Sequence, residues 1–160
     1  MPVSSWVFSS AVLAIATHAA AAGNVPVPLP DRVRGSESVV VAKVMDLHAT
    51  YETNEYGDQL IVSHVTLHVE ESLKGKPERS LEVDVVGGTV GNVTLDVSNM
   101  PRVYRGERAV FFLTPNSHSG KLVPYLAGQG ILKLDAQNRV KGTSLDLTTI
   151  RQMASAVAGR

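Results

Sequence analysis

The residues that could do chemistry in this chain are histidines carried by two stretches whose composition predicts β-strands. His64 and His68 are four positions apart, so their imidazoles share one face of a strand with Cα atoms about 13 Å apart. His48, in the preceding stretch, could join them as a third ligand, because neutral imidazole binds transition metals. Since that separation is long for one ion unless the strand bulges, we expect these histidines on the solvent face, with a metal site as the alternative.

Two carboxylates form the second candidate site. Glu82 and Asp84 share one face of the alternating stretch 81–86, a spacing that two-carboxylate hydrolases can use. A half-buried strand produces such a pair by alternation alone. The chain has no Gly-x-Ser-x-Gly motif, and its glycine cluster at 87–91 does not open a helix. We therefore expect a non-enzymatic protein without catalytic residues or a cofactor, and keep a small exported hydrolase as the alternative.

The composition excludes several other classes of protein. The 160 residues include 15 basic and 15 acidic side chains, a formal net charge of zero. Nucleic-acid binders rely on an excess of basic groups that releases counterions, so we expect no nucleic-acid partner. The absence of cysteine excludes disulfide scaffolds, cysteine-ligated zinc, iron–sulfur clusters and thiol catalysis.

The charges are distributed unevenly along the chain. No Asp, Glu, Lys or Arg precedes Asp31, and the apolar start ends in the small residues 20–22. This pattern predicts a signal peptide over 1–22 that is cleaved after Ala22, and hence a secreted or periplasmic protein with no membrane attachment after cleavage. Three prolines in 24–30 predict an extended, proline-rich leader over 23–35.

The remaining residues, 36–158, predict a single all-β domain with one helix at its end. Short stretches rich in β-branched residues predict strands at 38–48, 60–70, 81–86, 93–97 and 107–113, with one or two more in 121–135. Helical spacing of apolar residues predicts a helix over 146–158, which Asp146 could cap. Six or seven strands and one helix favour a small closed β-barrel. We expect one core to contain Val83, Val85, Leu95, Phe111 and Leu113.

The order of turns and strands between residues 38 and 113 resembles that of a known family. It comprises the first strand 38–44, the Tyr-Gly-Asp turn 56–58, the Leu-Lys-Gly-Lys-Pro-Glu loop 73–78 and the Gly-Asn-Val-Thr-Leu-Asp-Val element 91–97. This order is similar to that of the netrin-like domain of tissue inhibitors of metalloproteinases, and the chain also resembles a set of small secreted bacterial proteins. The resemblance implies an OB-like, five-stranded barrel.

The chain differs from that family at the residue through which those proteins inhibit the protease. Those inhibitors chelate the protease zinc through a mature N-terminal cysteine, whereas this chain has no cysteine and its expected mature terminus is Gly23. No inhibitory residue is therefore carried over. We expect a monomer that binds a protein or peptide, a secreted protease among the candidates, through the loops 73–79 and 99–105. The candidate contact residues are Lys74, Lys76, Arg79, Arg102, Tyr104 and Arg105.

Overall fold

β-Strands make up most of the fold in the computed structural model, which describes residues 25–158. The strands are β1 (Ser38–Thr53), β2 (Gln59–Lys74), β3 (Ser80–Val86), β4 (Gly88–Val90), β5 (Val93–Leu95), β6 (Arg108–Pro115), β7 (Leu122–Pro124) and β8 (Ile131–Lys133). The helices are α1 (Leu29–Gly35) and α2 (Leu147–Ala158), with a 3-10 turn at Ala127–Gly130. The predicted β-rich class with a C-terminal helix is confirmed. The predicted signal peptide and its cleavage site lie outside the described residues.

β1 organises the main sheet because it pairs with two other strands. It runs antiparallel to β2 along most of its length, and its residues 38–43 also pair antiparallel with β6. β3 pairs with the other side of β2, and a parallel contact between Val83 and Leu122 joins β3 to β7. β7 and β8 both pair with β6. β4 and β5 form a separate two-stranded hairpin.

The first half of β1 is buried on both faces, as its run of β-branched residues predicts. The side chains of Val39, Val40, Val41 and Ala42 are at most 1% exposed. Because successive strand residues point to opposite sides, Val40 and Ala42 enter one core while Val39 and Val41 enter another. β1 therefore contributes side chains to two cores, one on each face of the strand.

The first core confirms four of the five predicted core residues and corrects the fifth. Val83, Val85, Phe111 and Leu113 pack together in it. Leu95 is only half-buried, because it belongs to the β4–β5 hairpin, which lies outside the main sheet. The alternation in 93–97 indicated a strand correctly but could not show which sheet that strand would join.

The second core lies between the sheet and the two helices. Leu147, Ile150 and Ala154 of α2 are at most 1% exposed and pack with Phe112 of β6. The amide of Thr149 donates a 2.7 Å hydrogen bond to Oδ1 of Asp146, which satisfies one free N–H of the first turn. The predicted helix and its cap are confirmed. Among the described residues, no helix combines the length and the apolar character that crossing a bilayer requires.

The expected extended leader over 23–35 is wrong in its second half, which forms α1. Pro30 lies in the first turn, where the missing N–H of proline costs no hydrogen bond. Val33 is fully buried in the second core. The guanidinium of Arg32 donates to the carbonyls of Val27 and Gln129 at 2.7 and 3.0 Å. α1 therefore packs against the second core.

Candidate functional site

Three chemistry-bearing side chains lie in a row across the outer face of β1, β2 and β3. The register pairs His48 of β1 directly with His64 of β2, and His64 with Asp84 of β3. Directly paired residues of antiparallel strands point to the same face, so the three side chains are neighbours. The rings of His48 and His64 have centroids 6.4 Å apart.

His64 is the centre of this row because both of its ring nitrogens have partners. Asp84 Oδ1 lies 2.6 Å from Nδ1, while Glu52 Oε1 lies 3.0 Å from Nε2. The Thr50 hydroxyl oxygen also lies 3.2 Å from Nε2. His64 is thus held between two carboxylates on opposite edges of its ring, and its side chain is only 17% exposed.

Lys121, in the loop before β7, adds a positive charge to the cluster. Its Nζ lies 3.1 Å from Asp84 Oδ2 and 3.5 Å from Glu52 Oε1. The hydrogen bond to Asp84 is the main cause that raises the pKa of Lys121 above its ordinary value. The ammonium therefore stays charged at neutral pH and partly neutralises the two carboxylates.

The cluster borders a surface cavity of about 370 Å³. Its polar lining consists of Asp46, His48, Glu52, His64, Thr66, Glu82 and Lys121. We name these residues together with Asp84 the His64 cluster. Asp84 is 11% exposed at its side chain, so it supports His64 from behind rather than facing solvent.

The structure brings together only some of the predicted chemical residues. His48, His64, Glu82 and Asp84 belong to the His64 cluster, whereas His68 is exposed and pairs in register with Lys43 and Ser80. A signal for the His48–His64 pair was present in the sequence, because both residues are equally distant from Tyr56 in the β1–β2 turn.

Three residues that contact the cluster were not predicted from the sequence, namely Thr50, Glu52 and Lys121. Glu52 and Thr50 lie on the same face of β1 as His48, and the continuation of that strand to Thr53 was not predicted. Lys121 comes from a distant loop, and no spacing in the sequence relates it to His64.

A second cavity, of about 400 Å³, lies between the β4–β5 hairpin and the loop that follows it. We call it the hairpin groove. Its apolar lining includes Leu47, Val85, Val90, Leu95, Val97, Met100 and Val103. His48, Asp96, Arg102 and Tyr104 supply polar atoms at the groove. The cavity thus combines an apolar lining with a few charged and hydrogen-bonding groups, as ligand sites do.

Two glycines allow the hairpin to fold back onto the sheet at this groove. Gly88 has φ of +136°, and a Cβ built there would lie 2.4 Å from Ser63 Oγ. The Ser63 hydroxyl donates a 2.7 Å hydrogen bond to the carbonyl of Gly87. A larger residue at 88 would therefore both strain the backbone and displace Ser63.

The predicted contact residues of the loop 99–105 divide between the groove and the surface. Arg102 lines the hairpin groove and binds Asp96 through hydrogen bonds from its guanidinium. That hydrogen bond raises the pKa of Arg102 and lowers the pKa of Asp96. Tyr104 is 53% exposed and lies 5.1 Å, centroid to nitrogen, from Lys133 Nζ. Arg105 is exposed.

The contact residues of the loop 73–79 include one with a structural role. Lys74 Nζ donates to the carbonyls of Val33, Arg34 and Ser36 at 2.8, 3.0 and 2.5 Å. Its ammonium thus satisfies carbonyls at and just after the end of α1, which gives Lys74 a structural role, while its role as a contact residue stays a prediction. Lys76 and Arg79 are exposed on the same loop.

No protein-family model matches the chain, and no curated protein is similar enough in sequence to be a relative.

Proposed function

We propose that this chain is a non-enzymatic binding module, in which the hairpin groove takes up an apolar side chain of a partner protein or peptide. The observation that carries the proposal is the groove itself. It has about 400 Å³ of space, an apolar lining and the Asp96–Arg102 pair beside it. A cavity of this size accommodates a large aliphatic or aromatic side chain, while the charged pair can orient the main chain of the partner.

The order of the strands supports an OB-like, netrin-like barrel as the scaffold. The pairings run from β1 through β2, β3, β7 and β6 back to β1, and the β3–β7 contact is parallel. A ring of five strands is the arrangement of the OB-fold, whose loops and outer face serve as binding surfaces. The proposed function uses the fold as a support and depends on the groove for its specificity.

The predicted signal peptide over 1–22 supports a partner outside the cytoplasm, and a secreted protease is one such partner. Zero net charge and a low aromatic content of 5% favour a protein or peptide over nucleic acid as the ligand. The proposed module acts as a monomer.

Selection of random displayed peptides on the immobilised protein tests the proposal. The expected peptides share an apolar anchor residue, and their binding should be lost in Val97→Asp, which places a charge in the groove. Val93→Asp is the matched control, because Val93 lies in β5 four residues before Val97, is 53% exposed and does not line the groove. Peptides that bind Val97→Asp as well as the unmodified protein would contradict the groove, and so would the absence of any selected anchor.

A further inference from the structure

When the imidazole of His64 is neutral, the contact between its Nε2 and Oε1 of Glu52 is not a hydrogen bond, because no proton lies between the two atoms. We assign the proton of the neutral ring to Nδ1, because its 2.6 Å contact with Asp84 is shorter than the contact of Nε2 with Glu52, and this leaves a lone pair on Nε2. That lone pair can accept a hydrogen bond from the Thr50 hydroxyl. It also faces Glu52 Oε1 at 3.0 Å, and both of these atoms are acceptors. A positive charge between them, a second proton or a metal ion, removes the conflict.

We propose that the His64 cluster binds one divalent transition-metal ion, with zinc as the best match. The ligands are Nε2 of His64, the carboxylate of Glu52 and the imidazole of His48. The site shares His48 with the hairpin groove, but it binds a different ligand and does not depend on the peptide-binding function proposed above. Mixed imidazole and carboxylate donors suit zinc and its neighbours in the first transition row better than calcium or magnesium.

The distances agree with such a site. At tetrahedral angles, zinc bonds of about 2.0–2.1 Å to nitrogen and oxygen place two ligand atoms about 3.3–3.4 Å from each other, so a pair at 3.0 Å needs to separate by only a few tenths of an ångström. Glu52 Oε1 and His64 Nε2 are 3.0 Å apart before any ion is added. His48 is exposed and faces His64 across the strand pair with ring centroids 6.4 Å apart, so a side-chain rotation brings its nitrogen to the same ion.

Asp84 completes the arrangement from the other side of the ring. A carboxylate that accepts a hydrogen bond from the second nitrogen of a metal-binding histidine fixes its tautomer and increases its basicity. Asp84 makes this contact at 2.6 Å with an 11% exposed side chain. The tautomer that Asp84 selects is the one that leaves Nε2 free for the ion.

The charge of the His64 cluster also favours a cation. The cluster contains four carboxylates, those of Asp46, Glu52, Glu82 and Asp84, and one ammonium, that of Lys121, so it has an excess of negative charge when its imidazoles are neutral. Lys121 therefore acts as a resident competitor. Its ammonium is held by the same two carboxylates that flank His64, and a bound metal ion would repel it. Its side chain is 43% exposed, so it can move into solvent when an ion enters.

A calorimetric titration of the untagged full chain with zinc chloride at pH 7.5 tests the site. We expect one ion per chain and a rise in the melting temperature with zinc. His64→Gln should abolish both effects, and Asp84→Asn should weaken binding by about 10–100-fold. His48→Gln should weaken binding at least as much as Asp84→Asn. Lys121→Gln should tighten binding several-fold, because the competing charge is gone.

His68→Gln is the matched control, because His68 is an exposed histidine on the same face of the same strand, outside the cluster. It should bind zinc like the unmodified protein. Melting curves without zinc identify any variant that fails to fold, and the Lys121→Gln result keeps the proposal testable in that case. Zinc binding that survives His64→Gln overturns the proposal. A folded protein that binds no zinc and shows a proton on Nε2 of His64 by nitrogen NMR overturns it as well.

Discussion

At the scale of single residues, the inner face of β3 offers a direct test of the packing. Val83 is fully buried in the first core and pairs in register with Val65 of β2. Val83→Asp buries a carboxylate without a partner and should lower the free energy of unfolding by roughly 3 kcal/mol or more. Val93→Asp, on the exposed hairpin, should change it little. Denaturant unfolding of both variants measures the difference, and equal midpoints would contradict the register of β3.

Residue types alone predicted part of the His64 cluster. The alternation in β2 and β3 placed His64 and Asp84 on outer faces, and both do lie there. The alternation could not show that Asp84 is bound to His64 rather than paired with Glu82, because that depends on how the two strands are aligned. The contributions of Glu52 and Lys121 depend on pairings across the fold, which no local pattern contains.

At the scale of elements, the N-terminal cap of α2 makes the stability depend on pH. Hydrogen bonds from the backbone and side chain of Thr149 lower the pKa of Asp146. The carboxylate therefore stabilises the folded state above its unfolded pKa of about 3.9, and this stabilisation is lost as the pH falls through the lower folded pKa. Asp146→Ala should lower the melting temperature at pH 7, where the charged cap is present.

The same variant has a clear expectation in acid. Once Asp146 is protonated in the unmodified protein, the difference in melting temperature between it and Asp146→Ala should shrink. Melting curves at a series of pH values down to pH 2 measure it. A difference that stays constant over this range would show that the charge of the cap does not contribute.

Two elements show where local reasoning succeeds and where it does not. α2 was predictable because its apolar spacing, its cap and its burial all agree. α1 was missed because its prolines are typical of extended chain, and the contacts that stabilise the helix come from Gln129 and Lys74, both distant in sequence. An element can be predicted from local sequence when the residues that indicate it lie within the element. It is missed when the residues that stabilise it lie elsewhere in the chain.

At the scale of the whole molecule, we predict that the protein does not inhibit a metalloprotease by chelating its zinc. That mode needs a terminal amine and carbonyl held rigidly, and the chain has no cysteine with which to cross-link its expected terminus at Gly23. Fixing backbone residues at a metal costs about 1–2 kcal/mol each, and no disulfide offsets that cost here. Inhibition assays with the form that begins at Gly23 measure this. Nanomolar inhibition that disappears when one residue is added before Gly23 would prove the prediction wrong.

The sequence predicted the strands of the molecule better than their arrangement. Five predicted stretches became strands because each carries its own alternation or β-branched run. The pairings of β1 with β6 and of β3 with β7 join residues far apart in the chain, so no turn of known length sets them. Lys121 reaches the His64 cluster beside the β3–β7 contact, so its place there became visible only in the folded structure.

Because β1 contributes side chains to both cores, the exchange of its backbone amides should report on global unfolding. A local opening that detaches β1 from one core would also disturb its packing in the other core. The amide protons of Val40 and Val41 should therefore exchange with deuterium only through global unfolding. The β4–β5 hairpin, paired with no strand of the main sheet, should exchange far faster through local opening. Hydrogen exchange followed by NMR would then give two free energies of opening. The larger one, measured on β1, should equal the free energy of unfolding.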